Sequence, residues 1–264
     1  MENILELQDI SHAYHGTEGE TAALSHLSFS LKQGEFISIV GPSGCGKSTL
    51  LSIISGLIPP EYGKVILNGT HIGYMLQKDH LLEWRSVYRN VILGLEIQHK
   101  ISPETKEKAF ALLKQYGLEE FANAKPSELS GGMRQRVALI RTLILNPDLL
   151  LLDEPFSALD YQTRLSVGDD IGQIIRKEKK TAILVTHDLA EAISLGDRVL
   201  VLTERPASVK TIVPIEFPPD KNTPLLRRNT TEFNEYFHTI WKELNVHDKS
   251  IPNSDSISKE TAAT

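Results

Sequence analysis

A chain of 264 residues that is 41% hydrophobic is long enough for one large domain, or for a core carrying an inserted subdomain. Its formal net charge of -6 argues against a general nucleic-acid binder, whose footprint should be basic, so no nucleic-acid partner is expected. Its single cysteine excludes an intrachain disulfide framework.

Met1 to Glu6 carries neither the basic end nor the long apolar stretch of a secretory signal. The most apolar run, Leu149 to Leu152, falls far short of the ~20 residues that a membrane helix needs. The expectation is a soluble, cytoplasmic chain whose membrane link comes through a partner. Short β-branched and aliphatic runs alternate with longer helical patterns, which predicts an α/β fold with a mainly parallel sheet.

Phe36 to Val40 reads as a buried strand running into Gly41-Pro42-Ser43-Gly44-Cys45-Gly46-Lys47-Ser48-Thr49. Gly41-x4-Gly46-Lys47-Ser48 fits the P-loop pattern at each fixed position. The glycines let successive backbone N–H groups turn inward on phosphate oxygens, and a helix opening at Lys47 adds the positive end of its dipole. ATP is the expected ligand, with Lys47 on its β- and γ-phosphates and the Ser48 hydroxyl on Mg2+. A serine-hydrolase elbow around Ser43 fails, because Cys45 stands where its last glycine is needed. Cys45 reads as a small residue where only the backbone matters; a thiol activated by the helix N-terminus is the sharper alternative.

The helix from Lys47 to Ser55 is stopped by Gly56 and Pro59-Pro60, and Gly63 to Gly69 reads as a strand closed by a turn. Ile72 to Leu76 predicts a strand that delivers Gln77, whose amide could reach the metal or the attacking water; alone, Gln77 reads as a loop residue. From Val87 to Phe121 helical spacing takes over, as in Lys106 to Tyr116 with an apolar face of Phe110, Leu112, Leu113 and Tyr116. This is read as a helical insertion over about residues 85–145. Ser130, Gly131 and Gly132 precede a helix from Met133 to Leu143 and make a second anion-binding helix N-terminus; a simple cap is the plain alternative.

Leu149 to Leu152 is a buried strand that delivers Asp153 and Glu154 to its C-terminal end, where open α/β sheets bind ligands. Asp153 is positioned to hold Mg2+ and Glu154 to polarise water, strand alternation turning the two side chains apart. The strand Thr181 to Thr186 places His187 at the same edge, where it could bond the γ-phosphate and orient that water. A strand from Arg198 to Leu202 and an amphipathic helix from Leu225 to Leu244 follow. The domain is read as 1–246, and 247–264, polar and without periodicity, as a disordered tail.

Together these residues resemble the nucleotide-binding subunit of ABC transporters. The match runs over roughly residues 3 to 205. The resemblance implies a P-loop NTPase with a mainly parallel central sheet, an N-terminal antiparallel β subdomain and an inserted helical subdomain. It makes Tyr14 the residue that stacks on adenine, Gln77 the Q-loop, Leu129 to Gln135 the signature, and His187 the switch histidine. Ser157-Ala158-Leu159-Asp160 becomes the D-loop, with Asp160 near the nucleotide. Two subunits pair head to tail, each ATP lying between one phosphate loop and the other chain's signature. Transmembrane permease subunits, and indirectly an external solute-binding protein, complete the implied partners.

Leu81 to Val87, Leu195 to Leu202 and Arg205-Pro206 are similar to importers of the nitrate, aliphatic sulfonate and taurine group. Glu83 stands where that group has proline before Trp84, and the stretch from Asn68-Gly69 to Tyr74 is shorter. The alternative class is a non-transport ABC ATPase acting on nucleic acid or ribosomes. Repair types need a long coiled coil and translation types two ATPase units, and this chain carries neither pattern.

Overall fold

The computed structural model describes residues 3–17, 19–157, 159–221 and 223–244. The tail expected from His247, and Ala158 of the expected D-loop, lie outside the described residues. In chain order the strands are β1 (Asn3–Gly16), β2 (Gly19–Lys32), β3 (Phe36–Val40), β4 (Tyr62–Leu67), β5 (Ile72–Met75), β6 (Leu149–Asp153), β7 (Thr181–Val185), β8 (Arg198–Leu202) and β9 (Val209–Pro214). Helix α1 (Lys47–Ile54) follows β3, and α2 (Val87–Val91), α3 (Leu93–Ile97), α4 (Pro103–Gln115) and α5 (Gly131–Leu143) lie between β5 and β6. Beyond them come α6 (Tyr161–Lys177), α7 (Leu189–Leu195), α8 (Pro224–Arg227) and α9 (Thr231–Leu244).

Two sheets divide the strands. β1 pairs antiparallel with both β2 and β4, in the order β2-β1-β4. The larger sheet runs β5-β6-β7-β3-β8-β9, parallel throughout except for β9 on its edge. β3, β6 and β7 are each five residues long and buried at every position, as strands covered on both faces must be. Alternation along them separates two cores. Leu150, Leu152, Ala182 and Leu184 pack with α2, α4, α5 and α6 on one face, and Leu149, Leu151, Ile183 and Val185 with β1, β2 and α1 on the other. Because β3, β5, β6 and β7 are parallel, the chain leaves all four at one edge, which is where the functional residues gather.

Three sequence expectations need correction. The helix expected from Lys106 begins at Pro103, because Ser102 and Thr105 cap one another and proline occupies the first turn. Its buried face is Ala109, Leu112, Leu113 and Tyr116; Phe110 stays exposed and stacks on Tyr88, with ring centroids 4.7 Å apart. The single helix expected over Leu225 to Leu244 is two, since the Thr230 hydroxyl accepts the Phe233 N–H at 3.2 Å and caps a fresh start after Arg228 and Asn229. The 17-residue α6 and the antiparallel β9 add to the elements that periodicity suggested.

Candidate active site

The loop between β3 and α1 is shaped by its glycines. Gly46 sits at φ 121, and a Cβ there would stand 2.9 Å from the Ala23 carbonyl oxygen, so a side chain is excluded on both counts. The first turn of α1 carries no acidic residue, which leaves its N–H groups and dipole to an anion. Ser43, Gly44 and Ser48 are exposed, whereas Cys45, Gly46 and Lys47 are buried and Gly41, Pro42 and Thr49 half-buried. The Lys47 ammonium spans the loop, donating to the carbonyls of Gly41 at 2.8 Å and Pro42 at 2.9 Å. Tyr14 is exposed beside α1, its hydroxyl 3.1 Å from that of Thr49 and its ring edge-on to His12. Burial raises the Cys45 thiol above its usual range despite nearby Lys47, which argues against the activated-thiol alternative.

Asp153 closes β6 with its carboxylate buried against the start of α1. Ser48 donates to its Oδ1 at 3.2 Å and Tyr74 to its Oδ2 at 3.5 Å. Burial pushes the Asp153 carboxyl up and Glu154 adds to this, against the lowering bond from Ser48. Tyr74 is pushed up to about 12 by burial and by Asp153. A hydroxyl and a carboxylate this close are hard oxygen donors that suit Mg2+, and a cation would offset the cost of burying Asp153. Among the described residues no cluster of three or more His, Cys, Asp or Glu side chains could hold a metal alone.

Glu154 departs from expectation. It lies past the end of β6 at φ 44, so a left-handed backbone rather than strand alternation turns its side chain away from Asp153. Both sides of the residue are tied down: its N–H donates to Val185 at 2.8 Å, and its carbonyl accepts from the Ser157 N–H at 3.2 Å and hydroxyl at 3.0 Å. The carboxylate is thereby set between Gln77 Nε2 at 3.1 Å and His187 Nδ1 at 3.3 Å. Gln77 thus touches Glu154, with no bond to Asp153 among the described contacts. Tyr74 and the Thr186–Glu191 pair were not singled out in the sequence. An Asp188-x-x-Glu191 capping pattern after His187 was the available signal for the pair.

A second group stands apart. The Ser130 hydroxyl accepts the Met133 N–H at 3.3 Å and caps α5, with Ser130 and Gly131 exposed. Gly132 is buried so close to α6 that a Cβ would come within 2.6 Å of the Thr163 methyl. Asp160 is exposed and caps α6, accepting the Thr163 N–H at 3.1 Å. No described hydrogen bond or ion pair joins Ser130, Gly131, Gly132 or Asp160 to the phosphate loop. A link does run from α5 to the segment after Gln77. Arg134 donates to Asp79 at 2.8 and 3.1 Å and to Glu83 at 2.8 Å, and Arg141 reaches the Asp79 and His80 carbonyls. Burial pushes Asp79 up, but the Arg134 bonds outweigh it and hold the carboxyl below its usual range. Glu83, the residue in place of proline, is therefore part of this clamp.

Residues 24–157 match the protein-family model described as "ABC transporter". The chain is 44% identical over 95% of its length to the uncharacterized ABC transporter ATP-binding protein YtlC of Bacillus subtilis, 99% of which is covered. It is 45% identical over 76% of its length to the aliphatic sulfonates import ATP-binding protein SsuB 1 of Rhodococcus jostii, covering 80% of that protein. Among solved structures, a dimeric post-hydrolysis state of the ATP-binding cassette MJ0796 bound to ADP and Pi superposes with TM-score 0.71. It is 32% identical and matches over 81% of this chain and all of that one.

Proposed function

The chain belongs to the ATP-binding subunits of ABC transporters, and from that premise we propose that it energises import of a small solute of the nitrate, aliphatic sulfonate or taurine kind. It hydrolyses ATP, and the import assignment is supported by the similarity to an aliphatic sulfonate import subunit. Two copies pair head to tail, so that ATP lies between one phosphate loop and the partner's Ser130, Gly131 and Gly132, with Asp160 close by. The separation of these two exposed groups within one chain favours that pairing.

In this reading Tyr14 stacks on adenine, and N–H groups from Gly44 to Thr49 receive the phosphates. Lys47 exchanges the Gly41 and Pro42 carbonyls for β- and γ-phosphate oxygens. Ser48 and Asp153, with Gln77 through its amide oxygen, would hold Mg2+, which supplies neutralising charge to the phosphate oxygens. Glu154 accepts a proton from the attacking water, while His187 and Gln77 fix its carboxylate.

The observation that carries the reading is Glu154 held between Gln77 and His187 at the edge where the phosphate loop opens. Among the described residues no helix is long and apolar enough to cross a membrane. Permease subunits then connect the ATPase to the cytoplasmic face of the membrane, meeting it at the helical segment of about residues 85–145, and an external solute-binding protein supplies the solute. Uptake of labelled taurine, alkanesulfonate and nitrate should be measured in a strain lacking this chain. Uptake of one of them should fall and return with the wild-type chain, and not with Glu154→Gln. Undiminished uptake of all three would remove the substrate assignment.

A further inference from the structure

The side chain of His187 is 58% exposed and touches Glu154 alone among the described ionic contacts, so its position is set by the short turn Thr186-His187-Asp188. That turn is closed by side chains outside the phosphate-binding apparatus. The Thr186 N–H donates to Ile39 at 3.2 Å, and the Asp188 N–H donates to the Thr186 hydroxyl at 3.0 Å. The hydroxyl's one proton goes to Glu191 Oε2 at 2.6 Å, leaving its lone pairs for Asp188. Glu191 is 4% exposed.

One guanidinium faces Asp188 at the end of the turn and Glu191, the acceptor of the Thr186 hydroxyl. Arg164 Nη1 donates to Asp188 Oδ2 at 3.4 Å, and its Nε lies 3.8 Å from Glu191 Oε1. Its Nη2 donates to the Leu159 carbonyl at 3.1 Å, in the segment leading into α6. The Leu159 side chain lies near the α5 N-terminus, 3.5 Å from where a Cβ on Gly131 would stand. Meanwhile Asp188 Oδ1 caps α7 by accepting from Ala190 at 2.8 Å and Glu191 at 3.1 Å.

Resting on the reading that Glu154 and His187 carry hydrolysis, we infer that Thr186, Glu191 and Arg164 are positioning residues that hold His187 against Glu154 and tie it to Leu159. A displacement at Leu159 reaches the imidazole through the Arg164 guanidinium, the Glu191 carboxylate and the Thr186 hydroxyl. A merely structural pair would stabilise the fold without touching turnover specifically.

The test is steady-state ATPase kinetics on the full chain, with the His187 imidazole followed by NMR. Thr186→Val keeps the shape and removes the hydroxyl, whereas Thr186→Ser keeps the hydroxyl. Arg164→Lys keeps the charge and removes the fork. Thr186→Val and Arg164→Lys should each lower kcat about tenfold with the KM for ATP changed less than about twofold. The imidazole signal should move in both, and Thr186→Ser should restore both readouts. If Thr186→Val does not fold, Arg164→Lys decides the matter alone. Wild-type kcat and an unmoved imidazole signal in the folded variants would overturn the inference, as would equal losses in kcat and ATP affinity. His187→Ala separates the two readings. Wild-type hydrolysis by His187→Ala would defeat the assignment of His187 itself, whereas its loss beside fully active Thr186→Val and Arg164→Lys would defeat only the positioning inference.

Discussion

Glu154 shows how far a single residue can be read in advance. Its carboxylate type and its place at the end of an apolar strand are visible in the sequence, and so are the strand ends that bring Gln77 and His187 near it. Its φ of 44 is not, because a left-handed backbone at a non-glycine residue follows from the bonds to Val185 and Ser157 that hold it there. Glu191 was still less visible, since the Asp188-x-x-Glu191 pattern announces a helix start but not that the carboxyl is buried and bonded to Thr186. Burial pushes its carboxyl up to about 7 from 4.5, with Asp188 adding to the rise and Thr186, Arg164 and Arg228 opposing it. A carboxyl raised in the folded state contributes stability that is fully present below the unfolded value and lost as pH climbs through the folded one. Urea midpoints of the wild type and Glu191→Gln should therefore diverge in favour of the glutamine variant between about pH 5 and pH 8. A constant difference across that range would show that Glu191 does not titrate there.

Among the elements, α5 carries the most consequence. Its N-terminus bears Ser130 and Gly131 on an exposed turn, its second residue abuts α6, and Arg134 and Arg141 bind it to the segment after Gln77. The Ser-Gly-Gly start and the helical run were legible, while the reason for the second glycine was not, because Thr163 comes from a helix that periodicity did not single out. Gly132→Ala should cost about 1–3 kcal/mol, since the β-branched Thr163 cannot swing clear of the new methyl. Gly131→Ala meets only Leu159 at an ordinary 3.5 Å and should be close to neutral. Chemical denaturation of the pair checks this, and equal stabilities would contradict the packing assigned to Gly132. The same limit explains the split between α8 and α9. An amphipathic pattern continues across Asn229 and Thr230, and only the Thr230 cap shows that the helix restarts.

At the scale of the whole molecule, the parallel sheet delivers the phosphate loop, Gln77, Asp153, Glu154 and His187 to one edge, while Ser130, Gly131 and Asp160 form another, exposed group, with Gly132 buried behind them. Two cavities of about 530 and 830 Å3 lie elsewhere, one between the end of α4 and α6, the other beneath β3 beside the end of α6. Neither is lined by phosphate-loop residues, of which Ser43, Gly44 and Ser48 are exposed. In the function proposed above the chain is half of a clamp that ATP closes and hydrolysis opens. Light scattering of Glu154→Gln with and without saturating ATP tests this most directly. ATP should bind and double the mass, because the variant keeps the nucleotide but loses the base that removes it. A monomer with ATP bound would contradict the account.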